Sequence, residues 1–125
     1  IINIRGLSFK RYLDIAKETS CKVAVITDND GNWQKNCTEK YKDYIGCDKI
    51  EVFFESDNTK NTFEVVLYKD NSKLCDKLFD SSALEYMLNN KTEAAFNLLS
   101  SEDNATADSI NVPDYIKRAI EWIRE

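Results

Sequence analysis

A short apolar run that ends in an acidic turn constrains the fold of this chain more than any other feature. Residues 22–27, with the sequence KVAVIT, are almost continuously apolar and rich in β-branched side chains. Such a run is typical of a strand that is covered on both faces, as in a parallel sheet. The run stops at Asp28-Asn29-Asp30-Gly31. The sequence therefore predicts a buried parallel strand whose carboxyl end carries two closely spaced carboxylates.

Strand-like and helical patterns alternate on either side of this predicted strand. The further predicted elements are a strand at 1–4, a helix N-capped by Ser8 and ending near Thr19, a helix within 33–45 and a strand at 50–54. The resulting order, β-α-β-α-β, predicts an α/β fold with a small parallel sheet and right-handed crossover connections. Ligands of such sheets bind beyond the carboxyl ends of the strands. We therefore expect the two aspartates to face a ligand-binding crevice.

The pattern becomes helical from residue 62 onward. The residues at helical spacing are Phe63, Val66 and Leu67, then Leu74, Leu78, Leu84 and Met87, then those of 91–99, and finally Ile116, Ala119, Ile120 and Ile123 in a helix that opens at Pro113. Residues 100–110 are predicted to form a polar loop. We expect one domain over residues 1–125, with an α/β portion at 1–61 and a mostly helical portion at 62–125.

The composition is that of an ordinary soluble protein. Hydrophobic residues make up 42% of the chain and charged residues 31%, the balance of a globular domain. No apolar run approaches the roughly 18–20 residues that a membrane-spanning helix requires, so we predict a cytoplasmic protein with no membrane partner. The four cysteines are irregularly spaced and form no CxxC motif, which favours four free thiols over a zinc site or a disulfide framework.

Two further properties narrow the chemistry. The chain contains no histidine, which excludes a histidine base and any Ser-His or Cys-His pair and leaves carboxylates, lysines and metal ions. The formal net charge is −5, whereas an autonomous DNA-binding domain is expected to be basic because phosphate neutralisation drives its affinity. A role on DNA therefore requires divalent cations, or basic surface supplied by another domain.

The acidic turn fits a cation site, and it also fits a plain turn. Asp28 and Asp30 can face the same crevice, where two carboxylates repel each other unless a cation lies between them. Mg²⁺ takes one or two protein carboxylates together with water and phosphate oxygens, and Gly31 lets the backbone turn tightly beside them. A solvated Asp/Asn/Gly turn that caps the next helix explains the same residues without a ligand.

Three other interpretations of the turn stay open. In an EF-hand loop counted from Asp28, the further oxygen ligands would be Asp30, Asn32 and Glu39, but Trp33 stands where that loop requires glycine. In a haloacid-dehalogenase-like or other phosphoacceptor domain, Asp28 would be the nucleophile. The dehalogenase pattern continues with Thr or Val, whereas this chain has Asn32. A non-catalytic interaction domain is the third alternative.

Five blocks of the chain form an ordered series. They are INIRGLSFKRYLDIA (2–16), KVAVITDNDGN (22–32), NTFEVVL (61–67), NKTEAAFNLL (90–99) and VPDYIKRAIEWI (112–123). Together they resemble the TOPRIM region of OLD-family ATP-dependent endonucleases, a family that includes the Gabija-type anti-phage nucleases. The resemblance implies a TOPRIM, Rossmann-like fold with a four-stranded parallel sheet flanked by helices. It also implies a Mg²⁺ or Mn²⁺ site that nicks or cuts DNA.

The resemblance assigns roles to individual residues. Asp28 and Asp30 match the Asp-x-Asp metal ligands of the family, and Asp28 is expected to be catalytic. Glu64 matches a further acidic metal-ligand position, with Phe63 in place of the usual Leu. Lys91 matches the lysine that opens the K-x-E-x-A block, a catalytic residue that contacts the phosphate. Without the resemblance, Glu64 and Lys91 would be ordinary charges on helix surfaces.

The chain departs from the family pattern at its N-terminal side. The family carries a glutamate, usually followed by glycine, at the end of an earlier strand, and this chain contains neither a Glu-Gly pair nor the Walker motif of the family's ATPase domain. We therefore expect a piece of a longer polypeptide that is inactive alone. The resemblance implies two partners, DNA and the chain's own N-terminal ATPase domain, with ATP acting only through that domain. It also implies homo-oligomerisation through the ATPase domain and a role in phage defence or DNA processing.

Overall fold

Two short strands form a parallel sheet. Strand β1 (Val23–Ile26) pairs with β2 (Ile50–Phe53), and Val23 lies opposite Ile50. The computed structural model describes residues 1–4, 9–100 and 109–125. Both strands lie within the apolar runs that predict them, and their parallel pairing is confirmed.

The other regular elements are helices. They are α1 (Phe9–Glu18), a π-helix (Gln34–Glu39), α2 (Phe63–Asp70), α3 (Ser72–Phe79), a short 3₁₀ helix (Asp80–Ser82), α4 (Ala83–Asn89), α5 (Lys91–Ser100) and α6 (Asp114–Arg124). Within the described ranges, no helix has the length and apolar character needed to cross a membrane. Both strands and the π-helix lie before residue 62, and the described elements after it are all helical.

The two faces of the sheet enter different hydrophobic clusters, because successive side chains of a strand point to opposite faces. One cluster joins the sheet to α1 and contains Phe9, Leu13, Ala16, Tyr41, Tyr44 and Ile50. The other joins the sheet to α2 and α6 and contains Phe53, Val66, Tyr115 and Ala119. Helices therefore cover both faces, which explains why the run at 22–27 has few polar positions. Strand β1 is nevertheless half-buried rather than fully buried, and Ile26 is 50% exposed.

The helical half packs around a third cluster. This cluster contains Leu67, Cys75, Ala83, Met87, Ala94 and Leu98. Helix α4 packs against α2, α3 and α5, and its Met87 is 1% exposed. Helix α2 contributes Leu67 to this cluster and Val66 to the sheet cluster, so it connects the two halves of the molecule.

The predicted strand at 1–4 is wrong. These residues form no strand, and the side chains of Ile1 and Ile2 are exposed. An extended segment becomes a strand only by pairing with a neighbour, and residues 1–4 pair with neither β1 nor β2. Among the described residues the sheet accordingly has two strands, where the alternation predicts three and the resemblance implies four.

The predicted helix within 33–45 takes a different form. It is a π-helix followed by turns up to Gly46, and the backbone N–H of Lys40 donates to the carbonyl of Lys35 at 3.1 Å. The segment buries Cys37 against the neighbouring turn, where its thiol donates to the Asp28 carbonyl at 3.6 Å. Single π-turns are frequent beside functional sites.

Three smaller predictions concern single residues or loops. All four cysteines are free thiols, as predicted. Pro113 is extended, with ψ of 138°, and precedes the last helix as its N-cap instead of opening it. The predicted N-cap Ser8 and most of the predicted loop at 100–110 lie outside the described residues.

Candidate functional site

Three segments that are distant in sequence meet at the carboxyl end of β1. They are the turn after β1, the first turn of α2 and the first residue of α5. The carboxylate of Asp28 accepts a hydrogen bond from the backbone N–H of Phe63 at 2.9 Å. Lys91 pairs with Glu64, with 3.0 Å between Nζ and Oε1. The charges of Asp30, Glu64 and Lys91 all act on Asp28, so the four predicted site residues lie together.

Asp28 is half-buried and serves first as a cap. Its Oδ1 binds the N–H of the first residue of α2, a place where a helix favours negative charge. Burial raises the pKa of Asp28, and the carboxylates of Glu64 and Asp30 raise it further. The Phe63 N–H and Lys91 oppose these effects without cancelling them. The surroundings therefore disfavour the charged form of Asp28, and a bound cation would favour it.

Glu64 and Lys91 form a partly buried ion pair. The Glu64 side chain is 13% exposed and that of Lys91 is 57% exposed. Burial alone would raise the pKa of Glu64, but its own backbone N–H, Lys91 and the nearby Thr62 hydroxyl outweigh burial and lower it. Glu64 Oε2 and Thr62 Oγ1 are both buried and lie outside hydrogen-bonding geometry with every described residue, although the Thr62 hydroxyl is near enough to stabilise the Glu64 carboxylate. A buried carboxylate oxygen without a partner calls for a ligand or a water.

Asp30 lies at the rim of this group. It is exposed and adopts a left-handed backbone conformation with φ of 47°, which Asp tolerates better than most residues. Its backbone N–H donates to the Asn61 carbonyl at 3.0 Å. Gly31 follows with φ of 81°, a conformation that costs glycine little. The two consecutive left-handed residues reverse the chain and leave the Asp30 carboxylate on the open side of the turn.

Asn29 and Tyr115 were not predicted as part of the site. Asn29, between the two aspartates, is 1% exposed and binds backbone carbonyls that are 26, 28 and 31 residues away. Burial raises the pKa of the Tyr115 phenol, and the carboxylates of Asp28 and Glu55 raise it further. An Asn in a turn is common, so the sequence held no signal that Asn29 has distant partners. Tyr115 sits in a helix whose predicted apolar positions did not include it.

The turn is further fixed to the loop that follows β2. The Trp33 ring stacks on Phe54 with 5.7 Å between ring centroids, and the Trp33 N–H donates to the Asn58 side chain at 2.9 Å.

The segment before the turn is strand β1, whereas an EF-hand loop follows a helix. The EF-hand interpretation is therefore wrong.

The donor atoms fit a divalent cation that keeps most of its ligands as water or phosphate. Within the described part of the chain, the Asp28 carboxylate is bound only through Oδ1, by the Phe63 N–H, and Glu64 has Oε2 outside hydrogen-bonding geometry. Mg²⁺ is typically held by one or two protein carboxylates in this manner. In the described part of the chain, no group of three or more Asp, Glu or Cys side chains is arranged to hold a metal ion. Asp28, Asp30 and Glu64 thus do not form a closed three-carboxylate cage.

A concave surface lies on the helical half of the molecule. An open groove of about 630 Å³ runs along α4 and is lined by Tyr68, Ser82, Leu84, Glu85, Leu88 and Asn89. None of the predicted site residues lines it. The groove is therefore separate from the acidic turn.

Comparisons with known proteins add no assignment. No protein-family model matches the chain, and no significant match to it was found among curated proteins or solved structures.

Proposed function

We propose that this chain is the nuclease part of an OLD-family protein and hydrolyses DNA phosphodiester bonds with a divalent metal ion at a TOPRIM-type site. One observation carries the proposal. The residues that the resemblance selects come from three separate segments, and they lie together in the fold: Lys91 pairs with Glu64 at 3.0 Å, and both act on Asp28. Charged side chains that gather from separate segments and shift one another's pKa are enriched at functional sites.

The chain's own groups suit phosphoryl chemistry without histidine. Asp28 and Glu64 would hold Mg²⁺ or Mn²⁺, with Asp30 at the rim of the site. The bound ion would activate a water and neutralise charge on the phosphate. Lys91, more than half exposed, can leave Glu64 and donate to a non-bridging oxygen, where charge develops in the transition state.

The charge of the chain supports a requirement for cations. Its net charge of −5 repels a polyanion, so affinity for DNA has to come from divalent ions or from basic surface in another domain. We assign that basic surface, the dependence on ATP and homo-oligomerisation to an N-terminal ATPase domain of the longer protein. A role in phage defence or DNA processing follows from the same proposal.

Nicking of supercoiled plasmid by the longer protein that contains this chain, in the presence of Mn²⁺, tests the proposal. Asp28→Asn keeps the side-chain volume and the oxygen that accepts from Phe63, but it removes the charge. We expect nicking to fall by at least about a hundredfold, because Asp28 is a direct ligand and loss of a mere outer partner already costs about tenfold to a hundredfold. Asp76→Asn is the matched control, since Asp76 is exposed on α3 and, among the described residues, accepts only from the Tyr68 hydroxyl at 3.0 Å. Equal nicking by wild type and Asp28→Asn would remove Asp28 from the site.

A labelling experiment with the same variant tests the phosphoacceptor alternative. If Asp28 is a nucleophile, acetyl phosphate will form an acyl phosphate on it, detectable by mass spectrometry and absent in Asp28→Asn. Our proposal predicts no such adduct, because Asp28 acts as a ligand and not as a nucleophile.

A further inference from the structure

We infer that Asn29 is a positioning residue that holds the two aspartates of the acidic turn in the geometry needed for cation binding. The inference rests on the proposed function, because it concerns the same site. Asn29 is the middle residue of the Asp28-Asn29-Asp30 sequence, and we assign it no contact with the cation or the substrate.

Every polar atom of the Asn29 side chain is engaged. The amide Nδ2 donates to three backbone carbonyls, those of Glu55 at 2.7 Å, Asp57 at 3.1 Å and Lys60 at 3.2 Å. The amide Oδ1 accepts from the backbone N–H of Gly31 at 2.8 Å. A side chain that is 1% exposed therefore joins the turn after β1 to the loop after β2.

The backbone of Asn29 is fixed as well. Its carbonyl accepts from the Asn36 side chain at 2.9 Å and from the Asn32 N–H at 2.9 Å. The residue is thus held from both sides, at the side chain by the loop after β2 and at the carbonyl by the π-helix. Asp28 and Asp30 are its direct neighbours in sequence, so their backbone directions are set by the same bonds.

Asparagine is suited to this place because it has both a donor and an acceptor. Aspartate would direct a carboxylate oxygen at three carbonyl oxygens, and alanine would leave those carbonyls with no side-chain donor from the turn. Bringing two carboxylates together costs electrostatic repulsion, so the turn must be held by other bonds. Fixed ligands that need no rearrangement are what a tight metal site requires.

The test compares Asn29→Ala with Asn71→Ala. Asn71 is the other buried polar residue of the described chain, 6% exposed, and lies at the opposite end of α2 from Asp28. Its side chain also binds backbone on both sides: it donates to the Leu67 and Asn111 carbonyls at 2.9 Å and accepts from the Asn111 N–H at 2.7 Å. Both substitutions remove a buried amide, but only one removes it from the acidic turn.

Mn²⁺ affinity is measured by calorimetry on the full 125-residue chain, at a temperature where thermal unfolding shows that all variants are folded. We expect Asn29→Ala to weaken Mn²⁺ binding by about tenfold or more, as loss of ligand-orienting residues does, and Asn71→Ala to leave it unchanged. If Asn29→Ala does not fold, Asn36→Ala removes the bond to the Asn29 carbonyl and should weaken binding to a smaller extent.

The outcomes separate this inference from the proposed function. Wild type that binds Mn²⁺, with Asn29→Ala or its substitute Asn36→Ala binding equally well, overturns the positioning role and leaves the proposed site standing. Equal weakening by Asn29→Ala and Asn71→Ala also overturns it, because the effect would then be general destabilisation. Wild type that binds no Mn²⁺ overturns the proposed site and this inference together.

Discussion

Around Met87, helices α2 to α5 are joined by apolar contacts, whereas around Asn29 the turn after β1 is joined to the loop after β2 by hydrogen bonds. The first region buries Cys75, Met87 and Leu98 with few polar groups. The second buries Asn29 and directs its amide at three carbonyls. Apolar packing tolerates changes of shape that keep volume, whereas a polar network depends on each partner being in place. The bonds that hold the turn with the two aspartates are thus of the position-sensitive kind.

The largest effect on stability is expected from the apolar region. Met87→Ala removes a side chain that is 1% exposed and should lower the free energy of unfolding by about 2–5 kcal/mol. Urea denaturation measures this loss. Leu88→Ala, at a neighbouring position that is 39% exposed, should cost far less. Equal losses at the two positions would contradict the packing that we describe around α4.

Asn29→Ala should cost less stability than Met87→Ala, and by a different mechanism. It leaves the carbonyls of Glu55, Asp57 and Lys60 without their side-chain donor, which we expect to lower the free energy of unfolding by about 1–3 kcal/mol. Amide hydrogen exchange should localise the damage to the loop after β2. Exchange that rises first in the helices around Met87 would show that the two regions are not distinct.

Breaking the Glu64–Lys91 pair should affect function more than stability. Lys91→Met leaves the Glu64 carboxylate, which is 13% exposed, without its cation, so we expect it to lower the free energy of unfolding by about 1–3 kcal/mol while abolishing Mn²⁺-dependent nicking by the longer protein. Arg118→Met is the control, because Arg118 forms an exposed pair with Asp114 at 2.9 Å. Nicking that survives in Lys91→Met would return Lys91 to the surface-charge interpretation.

The smallest expected effect is a gain in the free energy of unfolding instead of a loss. The folded protein raises the pKa of Asp28, so its ionised form destabilises the fold at neutral pH. In the absence of metal, Asp28→Asn should therefore be slightly more stable than wild type at pH 7. The difference should shrink as the pH falls through the raised pKa, and it should vanish below the ordinary value of 3.8, where Asp28 is protonated in both states. Denaturation curves at several pH values check this, and a less stable Asp28→Asn would show that Asp28 is mainly a helix cap.

How far the sequence predicted the fold depends on the kind of interaction. Periodic apolar residues predicted α1, both strands and the helical second half, because burial leaves a pattern along the chain. The pattern failed at 1–4, where an apolar segment has no strand to pair with, and at 33–45, where polar residues form a π-helix bound to the turn. The parallel pairing is confirmed, whereas the TOPRIM fold and its activity stay predictions.

The residues of the candidate site also differ in how far the sequence predicts them. Asp28 and Asp30 could be selected from the turn alone, because two carboxylates after a buried strand are visible in the sequence. Glu64 and Lys91 could be selected only through the resemblance, since each looks like ordinary helix-surface charge. The role of Asn29 depends on carbonyls 26 to 31 residues away, and carbonyls are present at every position. Such partners become visible only in the folded structure.

Calorimetric titration of Mn²⁺ into the wild-type chain and into Asp28→Asn tests the central claim most directly. We predict binding at a single site in wild type, loss of that binding in Asp28→Asn, and unchanged binding in Asp76→Asn. Wild type that binds no Mn²⁺, or Asp28→Asn that binds it as tightly as wild type, would contradict the claim that the acidic turn and the first turn of α2 form a cation site.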